Sequence, residues 1–249
     1  MLVLFSSTIC LADAVEPSIS SFSQTKSVLE KVYKNKRTTF YCGCSYDENR
    51  LMNYEKCGYL PRSISQRSKR QEWEHVVPAE SFGQSFVVWR KGHASCVDSH
   101  GKPFRGRRCA HKTNKTYREM ESNPHNVVPA IGEVNARRSN FSMSMIPGET
   151  RAYGSCDIEI ENRKFEPGPS RRGDIARIYF YMESRYPGRG VISKKNRKLF
   201  RAWSKMDPVD AEECARSEGI FNLTSIKNMV IEKECNALLP LSGRFLADD

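Results

Sequence analysis

Nine cysteines are spread over this 249-residue chain, and their placement limits what it can fold into more than any other feature. Cys10 stands apart in an apolar N-terminal stretch. The others, at positions 42, 44, 57, 96, 109, 156, 214 and 235, run through most of the remaining length. An even number of cysteines in an exported chain argues for a disulfide framework. Such a framework ties distant segments together, so the elements between Cys42 and Cys235 have to pack around the bridges. Partners cannot be read from the sequence. Cys42 and Cys44 are merely too close to favour bonding each other.

Export is expected on separate grounds. Met1 to Leu11 is apolar, and Ala12-Asp13-Ala14 fits a small-x-small cleavage site, so residues 1–14 read as a signal peptide. No Lys or Arg precedes the apolar stretch, which departs from the usual pattern. Residues 15–249 are then expected to form a single domain, long enough for a sizeable core. No apolar run approaches the length that spans a bilayer. The formal net charge is +11, and loss of Asp13 with the leader makes it one unit more positive. A strongly basic exported protein needs an anionic partner, and a polyanion with a phosphate backbone is the commonest one.

Periodicity predicts an N-terminal helix from near Ser21 or Ser23, with Val28, Leu29 and Val32 on one face. Thr38 to Cys42 reads as a short strand, and Tyr46 to Arg62 as loop pinned by Cys57. Ala79 to Gly83 reads as a turn. Residues 90–112 are the most basic and least regular part. There His93-x2-Cys96 and Cys109-x-His111 have the spacing of a zinc site, although an oxidising compartment favours a disulfide. Ser122 or Asn123 can cap a helix with Pro124 at its first position. Pro129 interrupts it, and Ile131 to Arg138 continues as helix. Asp157 to Ile160 is strand-like, and Glu166 to Gly173 is loop. A helix begins at Asp174 and ends at Pro187-Gly188, a second covers about Lys194 to Met206, and the run from Asp207 to Cys214 reads as an acid-capped helix start. Long helices with a few short strands indicate an α+β fold.

The chemistry concentrates in Arg70-Gln71-Glu72-Trp73-Glu74-His75-Val76-Val77-Pro78-Ala79. Carboxylate oxygens hold hard divalent cations, and an imidazole accepts a proton near neutral pH. Adjacent strand residues point to opposite faces, so Glu74 and His75 can serve one site only near a strand end, in keeping with Pro78 just beyond. Met120-Glu121-Ser122-Asn123-Pro124-His125-Asn126 adds an amide and a second imidazole, and Gly132-Glu133-Val134-Asn135 follows.

These three runs, in this order, resemble the endonuclease I family of periplasmic and extracellular bacterial nucleases, from about Phe22 to Cys235. The resemblance implies a mixed fold around a ββα-metal motif, two strands and a helix gripping one divalent ion. It implies His75 as general base and Glu74 and Asn126 as metal ligands. Mg²⁺ suits such oxygen donors best, with Mn²⁺ or Ca²⁺ as alternatives. Glu72 and His125 are candidates to support these groups from behind. The family's phosphate-binding arginine matches Arg107, with Arg105 and Arg108 as neighbours, and Lys102 belongs to the same basic stretch expected to track nucleic acid. Gly219 to Thr224 departs from the family's ending. The expectation is a monomeric, secreted or periplasmic, sequence-nonspecific endonuclease acting on DNA and RNA. A non-catalytic nucleic-acid-binding protein on the same scaffold and a zinc-stabilised adhesion or toxin module are the rivals.

Overall fold

The computed structural model describes residues 17–148 and 150–238, so the expected signal peptide lies outside the described residues. In chain order the elements are α1 (Phe22–Val32), β1 (Ser45–Tyr46), β2 (Met52–Asn53), β3 (Gln71–His75), α2 (Ala79–Gly83), α3 (Val87–Lys91), α4 (Arg107–Thr113) and α5 (Lys115–Glu121). A 3-10 turn (Pro124–Asn126), β4 (Val127–Ile131), α6 (Gly132–Arg138), β5 (Ser142–Met143), β6 (Glu159–Glu161) and β7 (Lys164–Glu166) follow. The chain closes on α7 (Pro169–Arg185), α8 (Lys194–Met206), α9 (Ala211–Thr224) and α10 (Glu232–Leu238). The class is α+β, with helices predominating and the strands short. No helix among the described residues is long and apolar enough to cross a membrane.

The eight cysteines pair as 42–156, 44–57, 96–109 and 214–235. Cys96 and Cys109 are bonded to each other, so neither offers a thiolate, and the zinc reading of residues 93–111 is ruled out. The bridge 42–156 closes the longest loop, fastening the segment before β1 to the one before β6.

The principal core is built on α7, whose Ile175, Ala176, Ile178, Tyr179, Tyr181 and Met182 are all buried, with Phe200 and Trp203 of α8 packed against it. A smaller cluster of Leu29, Trp73, Val127 and Ile220 joins α1, β3, β4 and α9. Trp73 therefore seals a seam between helices and strands, which is why an indole sits between two glutamates.

β3 and β4 pair antiparallel, Gln71 opposite Ile131 and His75 opposite Val127, and α6 begins directly after β4. This strand–strand–helix unit carries the candidate chemistry. Its second strand was not legible in the sequence, because Pro129 reads as a breaker. The ladder has only two strands, so the missing N–H of Pro129 falls on an outer edge, where its carbonyl accepts the Phe40 N–H at 2.8 Å. Gly132 lets α6 start this close: a Cβ there would lie 2.5 Å from the Arg67 carbonyl and 2.9 Å from the Glu72 carboxylate.

Other expectations differ in detail. Thr38 to Cys42 forms turns and one isolated bridge, Thr38 to Ser45, because the backbone folds back so that Thr39 N–H donates to Cys44 C=O at 2.9 Å. Ala79 to Gly83 is a short helix. α7 starts at Pro169, earlier than its apolar pattern, because proline is harmless at a first helical position.

Candidate active site

Alternation along β3 sends Glu72 and Glu74 to one side and His75 to the other, with His75 as the last strand residue. Glu74 is buried at 3 % exposure. One carboxylate oxygen accepts the Tyr41 hydroxyl at 3.3 Å and lies 3.5 Å from Arg138 of α6. The other oxygen is buried without a partner among the described residues. Burial pushes the Glu74 carboxyl up to about 7, against the pull of Arg138 and the Tyr41 hydroxyl. Such a group is expensive to ionise until a cation reaches it.

His75 is half-buried, stacked on Phe22 of α1 with ring centroids 5.0 Å apart. Its Nε2 lies 2.7 Å from the Glu121 carbonyl. A carbonyl only accepts, so Nε2 carries the proton and Nδ1 the lone pair. Burial lowers the His75 pKa to about 4, the hydrogen bond to Glu121 opposing it and nearby Arg107 adding to it. The imidazole is neutral at physiological pH, the form a base requires.

The Glu121 side chain, at the end of α5, organises the same corner. One oxygen takes the Arg107 Nε and the other the His111 Nδ1 at 2.6 Å. Arg107 and His111 both belong to α4, flanking the bridged Cys109. Arg107 remains half exposed, with 53 % of its side chain accessible. Hydrogen bonds from Arg107 and His111 draw the Glu121 carboxyl below its ordinary range despite burial.

Asn126 is fully buried, and both ends of its amide are committed to Val77: Oδ1 accepts the backbone N–H at 2.7 Å and Nδ2 donates to the carbonyl at 3.0 Å. It fastens the 3-10 turn to the chain leaving β3. In this conformation it is not brought beside Glu74 as an open ligand. The more accessible amide is Asn135 on α6, whose Nδ2 donates to Glu72 at 2.9 Å. Arg138, one helical turn on, reaches Glu74, so α6 runs along the Glu72–Glu74 side of β3. Glu72 is also gripped by Arg67 and Arg70, which together with Asn135 hold its carboxyl low against burial.

His125 lies away from this corner, wholly buried, with Nε2 donating to the Ile226 carbonyl at 3.0 Å. Lys102, Arg105 and Arg108 are exposed on the loop closed by Cys96–Cys109, and Arg108 lies over the Phe104 ring at 3.5 Å.

His75, Glu74, Asn126 and Arg107 are the residues the sequence singles out; Glu121, His111, Asn135, Arg138 and Tyr41 join this corner only in the structure. Glu121 and Asn135 stood inside the quoted runs. His111 was visible only as a zinc candidate. Arg138 and Tyr41 carried no local signal, because their role depends on contacts across the fold.

The endonuclease I family model matches residues 16–235. The chain is 38 % identical over 224 residues to endonuclease-1 of Buchnera aphidicola, covering 88 % of this chain and 83 % of that one. It is 38 % identical over 231 residues to an extracellular deoxyribonuclease of Aeromonas hydrophila, covering 90 % and 93 %. A periplasmic deoxyribonuclease of the same organism is 38 % identical over 222 residues, 86 % of each chain. With the family model spanning nearly the whole described body and relatives matched over most of their length, the chain belongs to the endonuclease I family.

Proposed function

We propose that this protein is a secreted or periplasmic endonuclease that hydrolyses the phosphodiester bonds of DNA, and of RNA, with one divalent cation, Mg²⁺ foremost, leaving 5′-phosphate ends. The observation that carries this reading is the state of His75. A carbonyl fixes Nε2–H, burial keeps the ring neutral, and the basic nitrogen is left for an attacking water. Arg107, held by Glu121 yet half exposed, offsets negative charge on the phosphate.

The unpartnered buried oxygen of Glu74 supports a cation beside it. With the Asn126 amide occupied by Val77, Glu74 and Asn135 are the residues that would hold the ion, and Glu72 would orient Asn135. When bound, the cation supplies Lewis-acid stabilisation of charge on the phosphoryl and leaving oxygens. His75 removes the proton from water at Nδ1, while its Nε2–H stays on the Glu121 carbonyl throughout. The net positive charge of +11 and the exposed Lys102, Arg105 and Arg108 support backbone-directed, sequence-blind binding. Names among the relatives, extracellular and periplasmic deoxyribonuclease, support the compartment and the DNA substrate.

The test is plasmid cleavage with and without chelator, paired with calorimetric metal titration of folded variants. His75→Ala is expected to lower turnover by at least ~10²-fold while retaining the ion. Glu74→Ala is expected to lose ion and activity together. Loss of the ion in His75→Ala with retention in Glu74→Ala would show the roles reversed.

A further inference from the structure

α8 has the sequence KKNRKLFRAWSKM: six basic residues and no acid in thirteen positions. Its Phe200 and Trp203 are buried against α7, and Arg197 pairs with Glu183 of α7 at 2.6 Å. The other five are exposed, and their side chains make no hydrogen bond or ion pair with a described residue; four of them, Lys194, Lys198, Arg201 and Lys205, form a row.

Their spacing is i, i+4, i+7 and i+11. At 3.6 residues per turn this puts all four within an arc of about 60°, in a row about 16 Å long. Like charges one turn apart on a helix repel one another, so nothing within the fold explains the row. A linear polyanion does. Along 16 Å of duplex one strand presents about five phosphates. A lipid surface fits less well, because an interfacial helix needs a free apolar face, and the apolar side of α8 is already packed into the core.

We propose that this row on α8 is a second nucleic-acid contact surface, separate from the cleavage site, that binds the backbone of a flanking segment of a long substrate. The proposal rests on the nuclease reading for its partner. No side chain of α8 bonds to His75, Glu121 or Arg107. Occupying both surfaces with one duplex raises affinity through effective concentration without any new contact at the catalytic corner. Long substrates are therefore held better than short ones.

The experiment uses the full, disulfide-bonded chain carrying Lys194→Glu, Lys198→Glu, Arg201→Glu and Lys205→Glu together. All four positions are exposed, and matched melting curves verify that the variant folds. A control variant reverses four exposed lysines elsewhere, Lys31, Lys34, Lys56 and Lys233, so that net charge is equal. The ratio of KM on a duplex of about 40 base pairs to KM on an oligonucleotide of about 8 nucleotides is expected to rise roughly tenfold in the α8 variant relative to the control. The slope of log affinity against log salt on the long duplex is expected to flatten by about 2 to 4. An unchanged ratio, or one that moves equally in the control, overturns the proposal. So does a variant that loses only its binding to phosphatidylglycerol vesicles, which would assign the row to a lipid surface. Failure of the nuclease reading looks different, because the unaltered protein would then cleave neither substrate.

Discussion

The His75 ring is tied to the main chain of Glu121, Nε2 to carbonyl oxygen at 2.7 Å, while the Glu121 side chain holds Arg107 and His111. One residue thus fixes the tautomer of the candidate base with its backbone and the position of the candidate phosphate ligand with its carboxylate. The backbone contact survives any substitution at 121, so the two functions can be separated.

Glu121→Gln is expected to keep His75 oriented but to remove the charge that anchors Arg107 and His111. Misplacing a positioning group by about an ångström costs up to ~10²-fold in rate. A drop in kcat of about 10- to 100-fold is expected, with the pH at which the base titrates little changed. Steady-state kinetics across pH decide this. A variant with full kcat would remove Glu121 from the mechanism.

Asn126→Ala strips both partners from the Val77 backbone in a fully buried place. Each unsatisfied buried group costs about 1–3 kcal/mol, so leaving two of them costs about 2–6 kcal/mol. Urea unfolding measures it. Metal titration of the folded variant then separates clamp from ligand. A clamp leaves the ion affinity largely intact, whereas an abolished affinity with unchanged stability would return Asn126 to the ligand set.

Much of this corner is legible in the sequence alone. The crowding of Glu72, Trp73, Glu74 and His75 carries chemistry in plain view, and strand parity already required the pair Glu74 and His75 to lie at a strand end, which is where β3 places them. The acid-capped start of α9 was equally readable, because Asp210 caps it locally by accepting the Glu213 N–H. What escaped depends on tertiary partners. β4 was hidden by Pro129, whose tolerance depends on which edge of the ladder it faces. Asn126 sits in the same run as His125, and only the approach of Val77 distinguishes a clamp from a ligand. Cysteine pairing likewise needed three dimensions, since an even count says nothing about partners.

The bridges should contribute unequally. Cys42–Cys156 spans 114 positions and Cys44–Cys57 spans 13. On the chain-entropy account the longer closure stabilises by about 2 kcal/mol more. The double variant Cys42→Ser with Cys156→Ser is therefore expected to melt below Cys44→Ser with Cys57→Ser. Full reduction is expected to abolish activity and near-UV circular dichroism together. Equal melting points of the two double variants would show that strain or residual structure outweighs loop length.

His125 should make the fold acid-sensitive in a way that can be isolated. Its ring is fully buried, Nε2–H on the Ile226 carbonyl, Nδ1 without a partner among the described residues, and the Arg216 guanidinium nearby. Burial, with Arg216 adding to it, lowers its pKa to about 3 from an ordinary 6.5. The folded value is depressed, so below pH 6.5 the unfolded chain takes up a proton that the folded chain refuses. Stability from this group is complete above about 6.5 and declines as pH falls towards 3, at about 1.4 kcal/mol per unit once well below 6.5. Other buried groups titrate over the same range; Asp174, raised to about 7 chiefly by burial, works in the opposite sense. The informative quantity is therefore the difference between the unaltered protein and His125→Gln, which keeps a donor for Ile226 but has no proton to gain. Between pH 7 and pH 4.5 the unaltered chain is expected to lose about 2–3 kcal/mol more than the variant, read from urea midpoints. Parallel losses in the two proteins would mean that His125 is protonated inside the fold and that Nδ1 finds an acceptor there.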